Sequence, residues 1–108
     1  MMTQTFPVPY FAVIFTSTHT LDAAEDYTQA AERMLELVRE QPGFLGVESA
    51  RGSDGLGITV SYWASEAAIL AWKDHPEHQQ IRERGRSTWY RRYSTRVTRV
   101  ERDYSYSR

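Results

Sequence analysis

The chain has 108 residues, 41% apolar and 25% charged, with 13 basic against 14 acidic side chains and a net charge of −1. This is the composition of one globular domain, not of a disordered segment. Its balanced charge gives no bulk attraction to nucleic acid or an anionic membrane, its lack of cysteine removes disulfide and thiolate chemistry, and no apolar run approaches a membrane span.

The opening MMTQTFPVPY lacks the basic and long apolar regions of a secretory signal, so the expected location is the cytoplasm. Tyr10 to Thr18 is aromatic and β-branched and follows two prolines, which predicts a strand. Asp22 is placed to cap the helix that follows. There Tyr27, Ala31, Met34 and Val38, flanked by Ala30 and Leu37, recur at helical spacing and form one apolar face. Pro42-Gly43 ends that helix. FLGVESAR and LGITVSYWA are two strands joined by the glycine-rich turn GSDGLG, an antiparallel hairpin. Ser65 caps a short helix, EAAILAWKD, with Glu66 in its first turn. Pro76 suits a first helical position and disfavours helix at His75, so His75 marks a joint before a second piece from Pro76 to about Arg84. Gly85 is expected to end it, and Ser87 to Tyr104 to form a last long strand.

The order β-α-β-β-α-β predicts an α+β, ferredoxin-like split βαβ sandwich: a four-stranded antiparallel sheet with helices on one face, in one domain spanning about 10–104. The strand pattern bears on the other face. Phe11, Val13 and Phe15 point one way in the first strand, and Tyr10, Ala12 and Ile14 the other; in the third, Leu56, Ile58, Val60 and Tyr62 oppose Thr59, Ser61 and Trp63. An antiparallel sheet with a solvated face alternates apolar and polar residues. Helices cover only one side, so a homodimer through the other sheet face is expected, a dimeric α+β barrel. In Trp89-Tyr90, one ring should meet the subunit's own core and the other the dimer seam.

Several stretches together, QPGFLGVES, the W-x-S-E turn at Trp63 to Glu66, AWKDHPEH, GRSTWYRRY and VTRVERDY, resemble the antibiotic biosynthesis monooxygenase family over Tyr10 to Tyr104. The resemblance implies the same fold, a dimer packed sheet to sheet, and a small pocket between sheet and helices. One branch of the family oxidises phenols to quinones without a cofactor, the substrate anion itself reducing dioxygen. Its pocket uses a strand asparagine, the W-x-S-E tryptophan and an arginine on the later helix. Trp63 matches the tryptophan and Arg82 falls at or near the arginine, but Thr59 stands where the asparagine would be. A second branch degrades haem. Trp72 matches its helix tryptophan, but Arg82 occupies the place of the histidine ligand, and the chain has no asparagine at all.

Three residue groups are candidates for chemistry. His75 and His78 stand at H-x-x-H spacing, but a helix joint, no cysteine and no evident third ligand speak against a metal. His78, Ile81 and Arg82 share one helical face, with Ile81 turned to the core. Arg82 therefore needs an acidic partner, Glu48, Glu66 or Glu101, or else an anionic substrate. Trp63 ends a strand beside a helix start, either as core or as a pocket wall. Trp72 is expected in the core, and His19 in solvent at a strand end.

The resulting expectation is a cofactor-independent monooxygenase oxidising a small aromatic or enolisable metabolite. Arg82 holds the anion, His78 moves a proton and Trp63 shapes the pocket. No cofactor or metal, nucleic acid or membrane is expected, and a small hydrophobic or phenolic ligand is. The alternative is a non-catalytic binding or interaction dimer of the same fold.

Overall fold

A computed structural model describes residues 5–20 and 25–108. Four strands, β1 (Tyr10–His19), β2 (Phe44–Arg51), β3 (Leu56–Trp63) and β4 (Tyr90–Val100), form one antiparallel sheet in the order β2-β3-β1-β4. The helices are α1 (Glu25–Arg39), α2 (Glu66–Lys73) and α3 (Pro76–Arg84). This is the ferredoxin-like α+β fold read from the sequence. The cap proposed at Asp22 lies outside the described residues. No helix among the described residues is long and apolar enough to cross a membrane.

Directly paired residues of neighbouring strands share a side of the sheet. Phe11 pairs with Trp63 and Arg99, and Val13 with Ser61 and Val97. Phe11 and Val13 pack against the core made by Leu37 and Val38 of α1 with Trp63 and Trp72. That row is therefore the helix side. Tyr10, Ala12 and Ile14 look the other way, in line with Leu56, Ile58, Val60 and Tyr62. On this second side Leu56 and Ile58 are each 45% exposed. One end of it is covered by the chain's own termini: the Phe6 and Tyr62 rings pack on Tyr10, whose hydroxyl donates to Asp103 at 2.6 Å. Burial and this carboxylate push the Tyr10 phenol up to about 12.

Local signals work as their chemistry demands. Ser65 Oγ accepts the Ala68 N–H at 3.1 Å and starts α2. Gly43 sits at φ +84, where a Cβ would also lie 2.6 Å from Ala68 Cβ.

Other details differ from the sequence expectation. The helix α3 ends at Arg84 with Gly85 as its C-cap, as expected, but Gly85 keeps right-handed helical angles, and one π-type turn, Gly85–Trp89, leads on into β4. Its lack of a side chain serves the Tyr90 ring, whose Cε2 would lie 2.8 Å from a Cβ there. The last strand is Tyr90–Val100, shorter at both ends than Ser87 to Tyr104. Trp89 and Tyr90 do not divide between two faces. Trp89 is 2% exposed, and Tyr90 packs on Phe15, His19 and Tyr93 of the same chain. A register shift at Thr18/His19 places an extra residue, Arg91, in β4. Such a bulge reverses the alternation and brings Tyr90 to the side of Tyr93. His19 is not a solvated strand end either: its Nε2 is buried and its ring lies 4.2 Å from that of Tyr27.

Candidate functional site

The two histidines of H-x-x-H do different things. His75 is the N-cap of α3, with extended backbone angles, and its Nδ1 accepts the Glu77 N–H at 3.2 Å. It is the joint residue that Pro76 implied. His78, one turn in, bonds through Nδ1 to the Trp72 carbonyl at 2.8 Å. Among the described residues no three ligating side chains gather where they could hold a metal.

The bond to Trp72 fixes the chemistry of His78. A carbonyl oxygen can only accept, so Nδ1 carries the proton. In the neutral ring Nε2 then has the free lone pair, the form that takes up a proton. Burial is the main cause lowering the His78 pKa below the usual histidine value, opposed by the Trp72 carbonyl and reinforced by the positive charge of Arg82. The imidazole is thus held neutral and oriented, the state a general base needs.

The imidazole lies flat on Trp72, with centroids 4.1 Å apart and planes 15° apart. Trp72 touches Trp63 at 6.4 Å, and Trp63 touches Phe44 at 5.4 Å. One aromatic stack runs from the core of the sheet to the inner side of α3. Trp63 is the deepest member at 1% exposed, and its Nε1–H donates to Ser61 Oγ at 2.9 Å. It supports Trp72 from behind. Arg82, one turn beyond His78, is half-buried and forms no ion pair with a carboxylate among the described residues. Of the partners considered for it, Glu101 lies by Arg99 and Glu48 accepts the Tyr62 hydroxyl. Its charge is felt instead by His78.

Beside this stack the helix side of the sheet is not closed. Val97, paired with the core residue Val13, remains 50% exposed. Phe11, Val13 and Val97 form an apolar strip on this side of the sheet, Phe11 and Val13 packed against the core that holds Trp63 and Trp72.

Two ion pairs hold α3 against α1. Arg33 Nε donates to Glu77 at 2.6 Å, and Arg84 pairs with Asp26. A groove of about 240 Å³ lies between the helices, floored by Ala30 and Ile81. Sequence reasoning missed these clasps. Asp26 and Arg33 stand two turns apart on α1, as Glu77 and Arg84 do on α3, acid before base in both, and each acid meets the other helix's base. That spacing was the available signal. It also assigned Trp72 to the core without its second role as the platform for His78.

Residues 10–84 match the antibiotic biosynthesis monooxygenase family, the larger part of the chain. The chain belongs to this family. It is also 52% identical over 101 residues to the uncharacterized protein YqjZ of Bacillus subtilis, an overlap covering 94% of this chain and 88% of that one. Among solved structures, Rv0793 of Mycobacterium tuberculosis superposes with a TM-score of 0.78 at 16% identity, covering 89% of this chain and 99% of that chain. SnoaB of Streptomyces nogalater, described as a cofactor-independent oxygenase, superposes with a TM-score of 0.71 at 13% identity, covering 91% and 97%. At such identities these two likenesses speak for the fold. Within the antibiotic biosynthesis monooxygenase fold, the position resembling the phenol-oxidising branch's asparagine is Thr59, which pairs with Phe15 and lies in the helix-side row of Trp63.

Proposed function

We propose that this chain is a cofactor-independent monooxygenase acting on a small aromatic or enolisable metabolite. The observation that supports it most is the His78 imidazole, neutral, fixed by the Trp72 carbonyl and beside Arg82, which pairs with no described carboxylate. His78 Nε2 takes the proton of a phenol or of a C–H next to a carbonyl. Arg82 stabilises the anion that forms, since a guanidinium is suited to spread oxygen charge. The Phe11, Val13 and Val97 strip accepts the apolar body of the substrate. Trp63 acts as a positioning residue through Trp72. The electron-rich anion then reduces dioxygen. One oxygen atom becomes the new carbonyl at a substrate CH2 or ring CH, and the other leaves as water with the two hydrogens lost. The substrate supplies all the electrons, so the step balances without another reductant.

In this proposal the working unit is a homodimer, joined through the face that leaves Leu56 and Ile58 half exposed. A second reading is a binding dimer without turnover. It draws on the depth of Trp63, which is 1% exposed and fills the space a larger pocket would need. Oxygen uptake with a panel of phenols and anthrone-like ketones separates the two. Consumption matched by one equivalent of quinone or ketone supports the enzyme. Saturable binding across the panel with no oxygen consumed supports the binding dimer.

A further inference from the structure

A second group of polar and aromatic side chains lies beyond the C-terminal end of α3, where Gly85 and Trp89 meet Tyr90 and Tyr27. It contains His19 at the end of β1, Arg51 at the end of β2, Tyr27 on α1 and Tyr90 at the start of β4. The His19 ring is held between Tyr27 at 4.2 Å and Tyr90 at 5.5 Å. Its Nε2 is buried and has no hydrogen-bond partner among the described residues. A buried polar atom without a partner is costly, and a bound molecule is one way such an atom is satisfied.

Arg51 adds a second anomaly. Its Nη2 donates to Ser17 Oγ at 2.8 Å, and its Nη1 reaches the Gly55 and Ser17 carbonyls. All three acceptors are neutral. No described carboxylate stands within ion-pair distance of it. The guanidinium is nonetheless fixed: it lies 5.7 Å over the Tyr27 ring and fills the space where a side chain at Gly57 would be. Its three bonds leave two of the five guanidinium donors over. A fixed cation whose described acceptors are all neutral, beside a buried imidazole nitrogen, is a half-completed anion site. Its surroundings are rings: Phe15 and Tyr93 flank Tyr90, and Trp89 packs on Tyr27.

We propose that His19, Arg51, Tyr27 and Tyr90 form a binding site for a small aromatic carboxylate, separate from the His78 site. The carboxylate takes the spare Arg51 donors and the His19 Nε2–H, and its ring packs among the tyrosines. The neutral imidazole must then carry its proton on Nε2, the tautomer opposite to that of His78. Carboxylate is favoured over a bulkier anion because two planar oxygens match a guanidinium edge and one N–H.

The test is NMR of the histidine rings during titration with benzoate, benzylamine as the cationic control and sodium chloride matched for ionic strength. Benzoate is expected to shift the His19 Nε2 signal saturably and to leave His78 unmoved, and benzylamine to do neither. Arg51→Lys keeps the charge but loses the planar edge, and is expected to weaken benzoate at least tenfold with a native fold by CD. Binding must survive His78→Ala unchanged. Three results would each overturn the proposal: His19 shifts no larger with benzoate than with chloride, an Nε2 proton that contacts only a bound water at saturating benzoate, or Arg51→Lys binding as tightly as wild type.

Discussion

His78→Ala removes one hydrogen bond and one stacked ring pair, and both effects can be sized. The bond to the Trp72 carbonyl is 2.8 Å long and contributes about 0.5–1.5 kcal/mol. The parallel stack on Trp72 adds about 0.5–1.5 kcal/mol beyond area. The Trp72 carbonyl keeps a partner in the His75 N–H at 3.1 Å, so no acceptor is orphaned. Stability should therefore fall by about 1–3 kcal/mol against a total of roughly 5–15 for a domain of this kind. A drop in Tm of about 4–8 °C per kcal/mol follows, and at 25 °C the variant stays folded. The effect on rate is of another size. Loss of a general base typically costs 100- to 10,000-fold, about 2.7–5.5 kcal/mol in the barrier. Oxygen uptake at 25 °C with the best phenol, with a thermal melt alongside, separates the two. The pH profile adds a sign. The His78 pKa is lowered, so wild type should hold its plateau rate at pH 6.5 and lose it only as pH falls through the depressed value. A kcat/KM within threefold of wild type in folded His78→Ala, or a rate falling in parallel with the melt, would refute the assignment of the base.

Three further outcomes are expected. His19 and His78 both have lowered pKa values, mainly through burial, so between their folded values and the unfolded 6.5 the unfolded chain binds more protons. Stability is then full above pH 6.5 and declines below it; urea midpoints at pH 7.5 and 5.5 should differ in that direction, and replacing both rings by glutamine should flatten the difference. The protein should scatter light as a dimer of the 12.6 kDa chain; Ile58→Lys, on a side chain already 45% exposed, should give a folded monomer, and a wild-type monomer at micromolar concentration would defeat the sheet-to-sheet arrangement. Gly43→Ala should cost at least about 1–2 kcal/mol for a left-handed alanine, more because its Cβ would press on Ala68; an unchanged urea midpoint would contradict this.

The sequence by itself determined the fold. Apolar periods of two and of about three and a half, the Ser65 cap, the Pro76 start and the glycine turns are local rules, and local rules survive translation along the chain. They placed four strands and three helices in the right order and identified His75 as a joint. They also brought His78 and Arg82 to one helical face, since that follows from helix geometry alone. The tertiary structure decided what those side chains meet. No spacing shows that the Trp72 carbonyl sets the His78 tautomer, because that carbonyl is freed only where α2 breaks and α3 folds back. Trp63 was open between core and pocket wall, and its depth depends on how α1 and α2 close over β3. The Trp89-Tyr90 pair misled because Trp89 closes the π-type turn and is not in the strand, while the extra residue Arg91 turns Tyr90 to the side of Tyr93; a bulge is a property of two strands in register. His19 looked like a solvated strand end. It is enclosed by rings from α1 and β4, eight and seventy-one residues away in sequence, and only the folded chain brings them to it.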